Sequence, residues 1–397
     1  MPSSNTLITP TIIAKEALAM LENSMVMGNL VHRQYKKEFK KVGQTVTIRK
    51  PNKFTATKAQ ARSNTDLNEP SDTLTVSTQA HVSWAFSSVE LTQTIEEYSE
   101  RYIKPAANAL ANVVDVDLCA LYQDVYNYNG TPGTTPSTFA NLGDTQRYLD
   151  DEAAPMAGRN AVVNPAANWS LADGLKGTFS QKKATDILTK GYLGTIANLG
   201  MHMDQNIQTH TTGVFTTSST PLVRGASQTG ATVATDGWQA SVATLTDGDI
   251  ITMAGCNAVN PVSGSDLGYL RRFVVTTATT ADGDGYMLTL PISPTITVSG
   301  AYKTCSASPS NDGAVTPLGT ESTGYPQNLV FHPNAFGLVV LPLQMPQGAW
   351  GARETFNNLS IRVVKDYDID QDEEIIRLDI LYGVKTLYPE LAARLVG

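Results

Sequence analysis

The stretch 211–323 limits the possible architectures most, because it is long, rich in Thr, Ser and Gly, and carries no helical period. Within it, Leu245-Thr246-Asp247-Gly248-Asp249-Ile250 reads as strand, turn, strand. Phe273-Val274-Val275 reaches Met287-Leu288-Thr289-Leu290 through Asp282-Gly283-Asp284-Gly285. Asp-Gly pairs supply the positive φ of tight turns, and β-branched neighbours favour a pleated backbone. The tract is therefore predicted to be an all-β unit, a small barrel or sandwich inserted into another domain.

The flanks read differently. Residues 10–30 repeat apolar positions at helical spacing (Ile13, Ala17, Met20 or Leu21, Met27), which fits either a docking arm or a core helix. Thr94 and Glu97 fit a capping box, and Glu96, Glu97 and Glu100 put negative charge at a helix N-terminus, where the macrodipole favours it. Pro105 should restart that helix. Beyond it Leu110, Val114, Leu118, Leu121 and Val125 form an apolar stripe, with Asn108, Asn112 and Asp115 on the other side. Taken to Tyr128, the helix would be about 35 Å long at ~1.5 Å per residue. A strand at 160–164, helices after Asn164-Pro165 and near 181–189, and closing strands at 361–364 and 375–381 complete an α+β pattern.

Between Arg33 and Arg62 ten Lys and Arg residues face one acid, Glu38. Alternation at 44–49 and 73–77 predicts two strands joined by a polar connection, a long basic hairpin. It could meet phosphates, but Phe54 is its lone stacking aromatic. The chain as a whole is acidic, with 29 Lys and Arg against 37 Asp and Glu, which argues against a protein built mainly for nucleic acid. Arg49, Lys50 and Lys53 are predicted to contact Glu96, Glu97 and Glu100 of a neighbouring copy. The alternative is that these charges only solubilise their own elements.

Enzymatic and metal readings find little. The five histidines, His32, His81, His202, His210 and His332, form no metal spacing. The three cysteines are scattered, so neither a disulfide framework nor a zinc site is expected. Gly264-Ser265-Asp266-Leu267-Gly268 misplaces the serine of a nucleophile elbow. Gly283-Asp284-Gly285 precedes a strand, where a dinucleotide site needs a helix. Asp366, Asp368, Asp370 and Asp372 alternate like a calcium loop, yet Gln371 stands where the sharp turn needs glycine, so a solvated strand edge is expected. No catalytic residue, metal or cofactor is predicted. The longest apolar run, 338–343, is too short for a membrane span, and no signal peptide is readable.

Several segments carry a family likeness: Arg101-Tyr102-Ile103-x-Pro105-Ala106, then Leu110-Ala111-Asn112 and Val116-Asp117; Gly191-Tyr192-Leu193-Gly194-x-Ile196; Asp247-Gly248-Asp249-Ile250-x-Thr252-Met253-Ala254-Gly255; Phe331-His332-Pro333-Asn334-Ala335-Phe336; and Arg377-x-Asp379-Ile380-Leu381-Tyr382-Gly383-Val384. In this order the chain resembles the major capsid proteins of tailed bacteriophages with the Hong Kong 97 fold, specifically the coat proteins of the short-tailed Salmonella phage type. The resemblance implies an N-arm at 1–32, an E-loop with flanking strands at 33–95 and a P-domain spine helix at 96–130. An A-domain at 131–210 would resume at 325–397 with the P-domain return strands, around an inserted β-barrel domain at 211–324.

It further implies many copies assembling with a scaffolding protein and a portal protein into an icosahedral shell, which encloses double-stranded DNA without sequence preference. The chain would reside in the virion capsid, and in the host cytoplasm during assembly. Decoration proteins are left open as partners, and no membrane is involved. The alternative reading is a β-rich carbohydrate-binding or adhesin-type module. Such a module should show clustered exposed aromatics, and the insertion offers Trp238, Tyr269 and Tyr286.

Overall fold

A computed structural model describes residues 10–34, 45–54, 69–87, 99–175, 193–215, 217–346, 348 and 350–397 of the chain. The fold is mixed α and β. Its contacts divide the chain into two compact units: Met1–Ile48, Ser71–Leu118 and Phe336–Lys385 form one, and Arg49–Pro70, Cys119–Ala335 and Thr386–Gly397 form the other.

The first unit is organised by strand Glu373–Thr386 in a five-stranded sheet. Over Glu373–Tyr382 this strand pairs antiparallel with Thr78–Ser87, and it also pairs antiparallel with Leu359–Asp368. Trp350–Phe356 extends the sheet, turning into Leu359–Asp368 through Asn357-Asn358. Both asparagines have positive φ, 47° and 64°, which a two-residue hairpin turn requires and Asn tolerates better than most residues.

Helix Pro10–Ser24 packs on strands Trp350–Phe356 and Leu359–Asp368, burying Ile13, Ala14, Ala17, Leu18 and Leu21. Of the two outcomes the periodicity allowed, this is the helix packed on its own chain. It breaks after Ser24 and resumes as the short turn Met27–Leu30. The break is held by Asp115, whose carboxylate accepts from the Val26 and Gly28 amides at 2.7 and 2.8 Å. The polar side of the central helix is therefore a docking face: Asp115 is buried, and the Ser24 hydroxyl bonds Asn108.

That helix runs Lys104–Ala120 after a π-helical turn, Ser99–Ile103, so Pro105 sits in its first turn, where no amide donor is missed. It is shorter than predicted, about 25 Å at ~1.5 Å per residue. A 3-10 turn, Leu121–Asp124, follows, and Tyr128–Asn129 is a strand. The reason lies far away in sequence: Arg394 captures the Val125 carbonyl at 2.7 Å and the Gln123 carbonyl at 3.4 Å, so the backbone leaves the helical path.

Asp379 is the buried charge of the first unit. It accepts from Arg362 at 2.6 and 3.1 Å, Arg377 at 2.7 Å and Gln79 at 3.1 Å. Burial works to raise its carboxyl, and these donors outweigh burial, holding the pKa below the usual carboxylate value.

The second unit holds two sheets. A seven-stranded mixed sheet has the order Tyr128–Asn129, Ala392–Val396, Gly324–Phe331, Asn160–Val163, Leu199–Met203, Thr195–Ile196, with Thr209–Thr211 also paired to Gly324–Phe331. Helices Phe139–Asp151 and Pro165–Leu175 belong to the same apolar core, which includes Leu142, Leu149, Leu171, Val163, Val330 and Leu395. Thr138 and Asn141 cap the first helix reciprocally, and the Asn164 side chain accepts from Ala167 at 2.8 Å to cap the second.

A six-stranded sheet has the order Val315–Pro317, Ile250–Val259, Asp266–Val275, Met287–Ile296, Gly230–Trp238, Thr217–Val223. Its edges meet through the residues just before Val315: the Val223 amide donates to the Gly313 carbonyl at 2.9 Å, the Asp312 amide donates to the Val223 carbonyl at 3.0 Å, and Leu222 bridges Ala314. Inside lie Trp238, Phe273, Met253, Leu290 and Ile292.

Several expectations need correction. Asp247-Gly248 does not fold its own flanks into a hairpin. Strand, turn and strand occur, but Thr244–Leu245 pairs with Thr279–Thr280 while Ile250–Val259 enters the six-stranded sheet; the turn between them is closed by the Asp249 carboxylate, which accepts from the Thr246 amide at 2.7 Å. The closing strands expected at 361–364 and 375–381 form and pair, as Leu359–Asp368 and Glu373–Thr386, but a further strand that was not expected, Ala392–Val396, lies between Tyr128–Asn129 and Gly324–Phe331 in the second unit. The Thr94–Glu97 capping box, the helix near 181–189 and the hairpin tip with Lys58 and Arg62 lie outside the described residues. The acidic run spans a strand end and a turn. Tyr367 donates to Asp372 at 2.6 Å and Asp368 accepts from the Asp370 amide, and no metal-holding cluster occurs among the described residues. No helix among them is long and apolar enough to cross a membrane.

Candidate functional site

Two places concentrate polar chemistry: the basic hairpin, whose residues 49–70 belong to the second unit, and, within that unit, the seam where the six-stranded sheet meets the seven-stranded one. At the base, strands Thr45–Arg49 and Ser71–Thr75 form a two-stranded sheet, as the alternation predicts. Arg49 pairs with Glu69 of the same chain at 3.2 Å, both side chains largely exposed, a contact worth about 0–1 kcal/mol. The Lys50 ammonium lies 5.1 Å from the Tyr388 ring centroid, and the Lys53 amide donates to the Tyr302 hydroxyl at 3.3 Å. Glu96 and Glu97 lie outside the described residues, and Glu100 falls in the π-helical turn with its side chain undescribed. Within one chain, then, the structure gives Arg49 and Lys50 partners other than Glu96, Glu97 and Glu100, namely Glu69 and Tyr388.

The seam was not foreseen. Arg271 and Arg272 are consecutive on Asp266–Val275 and reach in different directions, as strand neighbours must. Arg271 is buried and pairs with Glu152 at 2.5 Å, its guanidinium 4.7 Å from the Tyr126 ring centroid. Burial opposes its charge, but Glu152 more than compensates and raises the pKa. The same burial pushes the Tyr126 phenol well above its ordinary value. Arg272 stacks between Tyr148 at 3.9 Å and Tyr128 at 4.3 Å and donates to the Tyr148 hydroxyl at 2.7 Å. Planar guanidinium groups suit this double stacking better than ammonium would.

A second node joins the sheets beside the Asp247-Gly248 turn. Arg394 donates to the Gly248 carbonyl at 2.8 Å in addition to Val125, and Gly248 has φ of 94°, a value a side chain would strain. His210 contacts Asp249 at 2.8 Å through Nε2 and the Tyr122 hydroxyl at 3.1 Å through Nδ1. The Asp249 carboxylate also accepts from the Gly213 amide. Burial lowers the Arg394 pKa to about 10, so the backbone carbonyls hold a cation at a cost.

These contacts are mechanical: guanidinium, phenol and carboxylate groups are spent on one another, as in a docked interface. Sequence reasoning missed Arg271, Arg272, Arg394 and Glu152. The available signal was an Arg pair directly before Phe273-Val274-Val275, in a tract otherwise poor in charge, together with Tyr126-x-Tyr128.

Comparison with known proteins agrees with a structural role. No curated protein matches the chain. Among solved structures, one titled Mycobacterium phage Che8 is similar at 14% identity and TM-score 0.48, covering 93% of this chain and 90% of that one. A capsid structure of cyanophage P-SCSP1u is similar at 10% identity and TM-score 0.47, covering 93% and 87%. A virus-like particle from Pyrococcus furiosus is similar at 7% identity and TM-score 0.40, covering 96% of each chain. The family described as "P22 coat protein - gene protein 5" matches residues 1–397, so the chain belongs to that coat protein family.

Proposed function

We propose that the chain is the major capsid protein of a tailed phage, a structural protein and not an enzyme, whose copies assemble into the icosahedral shell around double-stranded DNA. The observation that carries this is the family match along the entire chain. In this reading helix Lys104–Ala120 is the P-domain spine. The seven-stranded sheet is the A-domain core, the hairpin based on Thr45–Arg49 and Ser71–Thr75 is the E-loop, and the six-stranded sheet is the inserted barrel. The bonds that join Thr217–Val223 to the residues leading into Val315–Pro317 support the barrel assignment.

Arg49, Lys50 and Lys53 meet Glu96, Glu97 and Glu100 of a neighbouring copy in the same reading, exchanging weak intrachain contacts for intersubunit ones. Scaffolding and portal proteins are the assembly partners, DNA is enclosed without sequence preference, and assembly takes place in the host cytoplasm. A sugar-binding module finds no support, since Trp238 is wholly buried and Tyr286 lies beneath the Arg224 guanidinium at 3.9 Å. Negative-stain microscopy of the purified chain, with and without its phage's scaffolding protein, tests the reading: closed shells are expected, and a chain that stays monomeric in both conditions overturns it.

A further inference from the structure

Cys256 and Cys305 are far apart in sequence and adjacent in space. Cys256 lies on strand Ile250–Val259, and Cys305 forms an antiparallel bridge with Ala258, two residues along that strand and so on the same face. Both are free cysteines buried in the core of the six-stranded sheet, where each thiol lies near enough to shift the other's pKa. The strand is irregular here: Gly255 has φ of 81°, and the pairing with Asp266–Val275 shifts register between Thr252 and Asn257. Such a site has backbone slack to bring two neighbouring thiols to bonding distance.

We propose that Cys256 and Cys305 form a reversible thiol–disulfide pair which, when oxidised, staples the strand Ile250–Val259 to the segment after Ile296.

The two thiols are not equivalent. The Cys256 thiol is pushed up by its hydrogen bond with Cys305 and by burial, whereas the Cys305 thiol is lowered by that same bond and further by Thr304, whose hydroxyl lies 3.6 Å from its sulfur. The Thr304 hydroxyl, aimed at the Cys305 sulfur, stabilises a thiolate there, so Cys305 is taken as the attacking thiol. It attacks one sulfur of a low-molecular-weight disulfide such as oxidised glutathione, forming a mixed disulfide and releasing one glutathione thiolate. Cys256 then loses its proton to solvent and attacks the Cys305 sulfur, releasing the second glutathione. The protein loses two protons and two electrons, and one oxidised glutathione becomes two reduced ones. Access comes from the segment 297–312, which holds Cys305 by local bonds, its amide and that of Thr304 both donating to the Thr297 carbonyl. Its ties to the strand are few, chiefly the bridge of Cys305 to Ala258 and the Ser306 amide on the Asn257 carbonyl at 2.9 Å, and so few bonds can open without unfolding the sheets.

The test uses the full-length protein in its native state, incubated with oxidised glutathione at mildly alkaline pH, with far-UV circular dichroism confirming that the fold is kept. Intact mass should fall by two hydrogens, and peptide mapping without reductant should recover a Cys256–Cys305 linked pair, with Cys119 still a thiol. Dithiothreitol should reverse both results. The melting temperature should rise by about 5 °C, because the link closes a long loop in the unfolded chain. In Cys256→Ala, Cys305 should instead retain glutathione, since the second attack is lost. Native protein that keeps both thiols under conditions oxidising a surface-thiol control overturns the proposal. So does a linked pair found only above the melting temperature. The wild-type map decides the matter even if the variant fails to fold.

Discussion

The Arg271–Glu152 pair offers a quantitative check on the seam. Its side chains are 4% and 6% exposed and 2.5 Å apart, so the charges have given up water for one another. Replacing Arg271 by Met strands a buried carboxylate and removes the contact with the Tyr126 ring. Replacing Glu152 by Leu strands a buried guanidinium. Breaking a buried pair from one side costs about 3–5 kcal/mol, whereas replacing both partners with apolar groups of similar volume is often close to neutral. We expect each single variant to lose about 3 kcal/mol, and Arg271→Met/Glu152→Leu to lose no more than either alone, a coupling of about 3 kcal/mol. Urea unfolding of the free subunit, followed by circular dichroism, measures all four corners of the cycle. Additive losses, with coupling below about 0.5 kcal/mol, would refute the argument that the two charges depend on each other.

Three further outcomes are expected. Arg394→Lys keeps a charge but cannot fork between the Val125 and Gly248 carbonyls; it should cost about 2–3 kcal/mol in the same denaturation assay. Asp115→Ala removes the acceptor for the Val26 and Gly28 amides; hydrogen exchange should lose protection there first, with about 2–3 kcal/mol lost overall. Because the Asp379 pKa is lowered on folding, the folded state binds fewer protons than the unfolded chain. The stability Asp379 contributes is therefore complete above about pH 4, the ordinary carboxylate value, and falls away as pH drops through the folded value. Asp379→Asn should flatten that acid limb of a stability–pH curve, and an unchanged limb would show that other carboxylates set it.

Local signals were the legible part of this chain. Asn164-Pro165 marked a helix start, alternation at Thr45–Arg49 marked a strand, and the Thr-rich tract marked an all-β sheet, because each depends on neighbours within a few residues. Long-range capture was hidden. Nothing near Val125 announces that Arg394 will take its carbonyl and end the helix, and nothing near Asp115 announces that amides some ninety residues earlier will need an acceptor. Of the predicted contact residues, Arg49 and Lys50 are matched by partners within the chain, and an intersubunit contact is by nature invisible in a single sequence.

The six-stranded sheet leaves and rejoins its host by neighbouring strands: Thr209–Thr211 pairs with Gly324–Phe331, and the Thr212 amide donates to the Thr323 carbonyl at 3.1 Å. The host chain therefore perceives everything between as a two-stranded stalk, and a replacement of any size could be grafted if its ends emerge side by side. Swapping in a foreign module is then a problem of fit at the rim. The graft must supply an acceptor for Arg394 and cations for Glu152 and the Tyr128–Tyr148 cleft, or those host residues must be recoded with it.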